Sequence, residues 1–90
     1  MKRYIIEREI PDVDRLNAAE LRVAANRSND ALAQLAPRVQ WLESFVTKGK
    51  TFCVYLAEDE AAVHEHARLS GFPANTISQV FRIIDPATAA

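Results

Sequence analysis

Ninety residues with 49% apolar and 26% charged side chains describe one small domain, because a chain of this length cannot supply two cores. Eleven basic residues against twelve acidic, for a net charge of -1, leave no clustered positive surplus of the kind that nucleic acid or an anionic membrane surface demands, and no apolar run approaches the roughly 20 residues of a membrane span. Cys53 stands alone, which excludes an internal disulfide and any CxxC pair, and the Lys2-Arg3 start meets Glu7 too soon for a signal peptide, so a cytoplasmic protein is expected.

In chain order, Tyr4 to Glu9 mixes aromatic, β-branched and charged residues ahead of Pro11 and predicts a first strand. Asn17-Ala18-Ala19-Glu20 has the form of a capping box, and Ala18, Leu21, Ala25, Ser28, Leu32 and Leu35 then recur at helical spacing until Pro37 stops them. Arg38 to Thr47 and Lys50 to Ala57 flank Lys48-Gly49 and predict a hairpin. Two registers are open. A two-residue Lys48-Gly49 turn sets Phe45 against Phe52 and puts Glu43 on the face of Val54; a three-residue turn with Gly49 in a bulge sets Val46 against Lys50 and Glu43 against Cys53. The second is the one expected, since it gathers Leu42, Val46, Phe52, Val54 and Leu56 on one face and Trp41, Glu43, Phe45, Cys53 and Tyr55 on the other.

Asp59 caps a short second helix with a stripe of Ala62, Val63, His66, Ala67 and Ser70, closed by Gly71-Phe72-Pro73; Thr76 to Ile84 is a last strand, followed by an alanine-rich tail. The order βαββαβ predicts an α+β, ferredoxin-like fold in which a four-stranded antiparallel sheet carries two helices on one face. Residues 1-90 form a single domain with its ordered core at about 3-85. The expected core is Ile6, Leu21, Ala25, Leu32, Leu42, Val54, Leu56, Val63, Ala67 and Phe81. Fifteen of the apolar residues are alanines, so one copy has little to bury, and an aromatic second face implies a homodimer of the dimeric α+β barrel type.

With Tyr4 and Ile6 turned to the helices, Glu7 falls on the opposite face with Glu43, Cys53 and Tyr55. Carboxylates buried in a dimer seam need a cation, a metal or a proton, which makes Glu7 and Glu43 candidate ligands; equally, they suit ion pairs with Arg3, Arg8, Arg38 or Arg82. His64 and His66, two apart on a helix, cannot grip one ion together. His66 lies on the apolar stripe, where it serves as a metal ligand or as a hydrogen-bonded core residue, while His64 faces solvent. Cys53 is a further soft donor or simple packing. Imidazole and carboxylate oxygen together suit nickel, zinc or cobalt. Phosphate loops, zinc-protease spacing and nucleophile elbows are all missing.

Arg3-Tyr4-Ile5-Ile6-Glu7-Arg8, Trp41-Leu42-Glu43-Ser44-Phe45, Lys50-Thr51-Phe52-Cys53-Val54-Tyr55, Glu65-His66-Ala67 and Gly71-Phe72-Pro73-Ala74 together resemble the bacterial nickel-binding, ferredoxin-like small proteins, long catalogued as a domain of unknown function. The resemblance spans Tyr4 to Pro86. It implies a dimer of ferredoxin-like subunits that binds Ni(II) or another divalent transition metal, with no catalytic reaction attached. His66 matches the family position; Leu42-Glu43 stands where many relatives carry a histidine after the tryptophan, so Glu43 offers oxygen in place of nitrogen. The metal set expected is Glu43, His66, Glu7 and Cys53, with no catalytic residues. The alternative is a cofactor-free enzyme or small-molecule binder using a cavity between the two sheets of the dimer, with Glu7 or Glu43 as base and Tyr55 as oxyanion donor. A purely structural dimer is the third reading.

Overall fold

The computed structural model describes all residues, 1–90. Strands β1 (Lys2–Glu9), β2 (Val39–Thr47), β3 (Lys50–Ala57) and β4 (Thr76–Val80) form one antiparallel sheet in the order β2-β3-β1-β4, with α1 (Ala18–Leu35) and α2 (Glu60–Ser70) between strands one and two and strands three and four. This is the expected ferredoxin-like α+β arrangement. No helix is long and apolar enough to cross a membrane.

Local signals set the helix ends as read. Asn17 Oδ1 accepts from the Glu20 amide at 2.9 Å while Glu20 Oε1 accepts from the Asn17 amide at 3.0 Å, so two otherwise orphaned donors are satisfied reciprocally. Asp59 Oδ1 accepts from the Ala62 amide at 2.9 Å, and Gly71 closes α2 at φ 78°, a left-handed conformation that glycine takes without a Cβ penalty.

Period two decides what each strand offers the helices. Tyr4, Ile6 and Arg8 of β1 and Thr51, Cys53, Tyr55 and Ala57 of β3 are buried beneath them, joined by Ala62 and Val63 of α2 and Leu35 of α1. The hairpin takes the two-residue turn, with Thr47 opposite Lys50 and Phe45 opposite Phe52. That corrects the expected register. Glu43 stands opposite Val54 and Ser44 opposite Cys53, so Cys53 and Tyr55 point to the helices while Phe52, Val54 and Leu56 take the uncovered face. A bulge at Leu42 breaks the alternation of β2, leaving Trp41 half-buried on the helix side and Phe45 half exposed on the other. Both faces of β3 are apolar, so hydrophobicity could not choose between them.

The expected core is corrected accordingly. Ile6 and Val63 are buried and Leu32 packs against the cluster, but Leu21 and Leu42 are 38% and 43% exposed, and Phe81 is 83% exposed. The last strand also ends earlier than expected. Val80 pairs with Arg3, one residue from the start of β1, so β1 is too short to pair a strand that runs on to Ile84.

Candidate functional site

The first turns of α1 stand off the sheet. Between them, the short 3-10 turn Val13–Arg15 and the inner face of β1, β2 and β3 lies a cleft of about 290 Å³, in which eleven of the fifteen lining residues are hydrophobic. Leu21, Ala24 and Ala25 form one wall, Trp41 and Val46 another. The other four lining residues are Arg8, Ser28, Ser44 and Thr51, and two of the eleven, Cys53 and Tyr55, add a thiol and a hydroxyl. An apolar hollow with a few convergent polar side chains is the usual form of a small-molecule site.

Arg8 is the charge in this wall. It is 2% exposed; Nη1 donates to the Pro73 carbonyl at 2.6 Å, and Nη2 has no acceptor. The Tyr55 and Phe72 rings lie 5.9 and 5.8 Å from its Cζ. Next to Tyr55 stands His66, fully buried, with ring centroids 5.0 Å apart and Nε2 joined to Ser28 Oγ at 3.1 Å. Burial, reinforced by the Arg8 charge, pulls the His66 imidazole down to about 4, so it is neutral at physiological pH and its Nδ1 is unpartnered. Burial pushes the Tyr55 phenol up, against the opposing pull of Arg8, so that phenol stays protonated and can donate.

The four expected metal ligands are divided by the sheet. Glu7 lies half-buried on the uncovered face with Lys50 Nζ 3.6 Å from its Oε1, and Glu43 is exposed on the same face. Their backbones sit two strands and two residues apart, a separation of about 12 Å from standard sheet spacing. Cys53 and His66 are buried on the other side, the thiol donating to Thr51 Oγ1 at 3.5 Å. No three His, Cys, Asp or Glu side chains come together in the chain. Tyr55, expected beside the glutamates, is inside with His66. His64 faces solvent as read, 3.8 Å from Glu60.

Arg8 is the residue that the sequence reading passed over as a surface cation. The signal was present: it follows Tyr4 and Ile6 at period two, on the face already assigned to the helices.

The family described as nickel responsive protein SCO4226-like matches residues 4–80. The chain belongs to that family. Among solved structures, the crystal structure of SCO4226 from Streptomyces coelicolor A3(2) is similar at a TM-score of 0.75, with 14% identity over 91% of this chain and 99% of that one. This likeness supports the fold of the SCO4226-like chain and, at that identity, nothing finer. A comparison with curated protein sequences gives no match.

Proposed function

We propose that this SCO4226-like protein is a cytoplasmic homodimer that binds nickel or another divalent transition metal in response to its concentration, without catalysing a reaction. One chain alone does not supply a fitting donor set, since Glu7 and Glu43 lie on the opposite side of the sheet from His66 and no three donor side chains come together. A pair of chains improves on this. The observation that carries the reading is the uncovered face, where Ile5 and Phe45 are 38% and 52% exposed around Glu7 and Glu43.

Two such faces meeting about a two-fold axis that crosses midway between Glu7 and Glu43 set each Glu7 over the partner's Glu43. Two carboxylate pairs result, each in need of a cation, and a divalent ion would take over the role of Lys50. Nickel accepts oxygen donors but prefers some nitrogen, and His66, with its unpartnered Nδ1, and Cys53 are the further candidates, although both are buried on the helix side of the sheet, away from the seam.

Sedimentation and Ni(II) calorimetry on tag-free protein test this. A dimer at about 10 µM is expected, with nickel affinity reduced about tenfold or more by Glu7→Gln plus Glu43→Gln. Loss on His66→Ala alone would move the donor set to the helix side, and a monomer whose nickel binding ignores all these changes would reject the proposal.

A further inference from the structure

The Arg8 guanidinium is a buried cation with no anion beside it. Five ion pairs form in the chain and none includes Arg8. Its protein partners are all uncharged: the Pro73 carbonyl, the Tyr55 side chain and the Phe72 ring. Cation–π contacts offset only part of what it costs to withdraw an unpaired ion from water. The deficit is that of a site lacking its counterion, because a tie from β1 to the Pro73 carbonyl alone could be made by a neutral donor at less cost.

The surroundings specify what the counterion should carry. Only one cation is present, which suits a singly charged head better than a phosphate dianion. Nη1 is already engaged, Nη2 is buried without an acceptor, and Tyr55 stands beside Arg8 in the same wall, so an anion drawn into the cleft would be met by the guanidinium first. The remainder of the wall, from Val13 and Leu16 to Leu21 and Val46, is apolar. A volume of about 290 Å³ sits at the lower end of ligand clefts, which run from about 300 to 1,000 Å³, and so suits a body of about eight carbons or an aryl group.

We propose that this cleft binds a small monocarboxylate with an apolar body, the carboxylate accepting from Arg8 and the body lying against α1. The site is separate from the proposed metal seam, being on the other face of the sheet. It supplies a small-molecule position on the helix side, where the sequence reading had looked between two sheets.

Trp41, the chain's single tryptophan, lines the cleft with Nε1 donating to Ser44 Oγ at 2.9 Å, so its emission reports an occupant. Wild-type protein is titrated with sodium octanoate, with 1-octanol as the neutral analogue and with inorganic phosphate, by Trp41 fluorescence and calorimetry. Octanoate should bind with Kd at or below about 100 µM, about tenfold or more tighter than octanol, and phosphate should not bind. Arg8→Met, in which an apolar chain replaces an unpaired buried charge, should keep the fold by circular dichroism and lower octanoate to the level of octanol. Ala25→Phe, which fills the cleft from α1, should abolish both. Equal binding of octanoate and octanol to the wild-type protein, phosphate binding as tight as octanoate, or no saturable octanoate binding up to about 5 mM would each overturn the proposal.

Discussion

A histidine that cannot afford its charge makes the protein sensitive to acid. In the folded state His66 titrates near 4, against 6.5 for an ordinary imidazole, with burial first and the Arg8 guanidinium second among the causes. Arg8 is the only charged group among the neighbours that face it; Ser28 and Tyr55 are neutral. Between pH 6.5 and 4 the unfolded chain therefore takes up a proton that the folded chain refuses. The stabilisation is complete above about pH 6.5 and is lost as the pH falls toward 4, in total about 3 kcal/mol. Urea unfolding at pH 7.5 and 4.5 should show most of this loss in the wild-type protein and a markedly smaller one in His66→Gln; equal losses would place the acid sensitivity elsewhere. Gly71 is a second position where one atom matters. At φ 78° an added Cβ would be strained and would come within 2.8 Å of Arg27 Nη2, which itself donates to the Ser70 carbonyl and lies over Phe72. Gly71→Ala should cost about 1 to 2 kcal/mol in thermal or urea unfolding.

Among the elements, the helices were legible and the sheet faces were not. Asn17-Ala18-Ala19-Glu20, Asp59 and Gly71 each carry a short-range hydrogen-bonding or backbone reason that tertiary packing does not alter, and all three appear where they were read. Asn17→Ala should accordingly remove about 1 kcal/mol of stability. The hairpin register depended instead on a comparison of two apolar faces on β3, and the bulge at Leu42 has no local signature. Leu42→Ala measures the difference: a core leucine loses about 2 to 5 kcal/mol, but this half-exposed bulge residue should lose less than about 1 kcal/mol. The candidate site was missed for the same reason as the register. Once Cys53 and Tyr55 are turned inward they meet Arg8 and His66, and a pocket appears on the face that had been given over to packing. Glu7 and Glu43 do share the uncovered face: Glu7 by the alternation of β1, and Glu43 by its place after the bulge, opposite Val54.

At the scale of the whole molecule, helices shield one side of the sheet and leave the other with Phe45 and Ile5 in water, while Phe81, Ile83 and Ile84 are 83%, 67% and 78% exposed beyond the end of β4. For a chain of this size that is a considerable apolar area to leave unpartnered, and it is the physical basis for the proposed homodimer. Phe45→Lys, a change on a residue with little to lose in the isolated fold, should shift a dimer toward monomer in sedimentation while leaving the far-ultraviolet spectrum intact.

The two halves of α1 have different jobs. Ser28, Ala31 and Leu35 press its later turns into the interior, whereas the earlier turns arch over the cleft, with Leu21 38% exposed in its wall and the reciprocal Asn17–Glu20 clasp at the end. Amide protons along this one helix should therefore exchange with deuterium on a gradient, fast near Leu21 and slow near Leu35. A guest lodged under the arch would brace it, so the gradient itself should flatten on loading, and the protection gained would trace the guest's outline turn by turn.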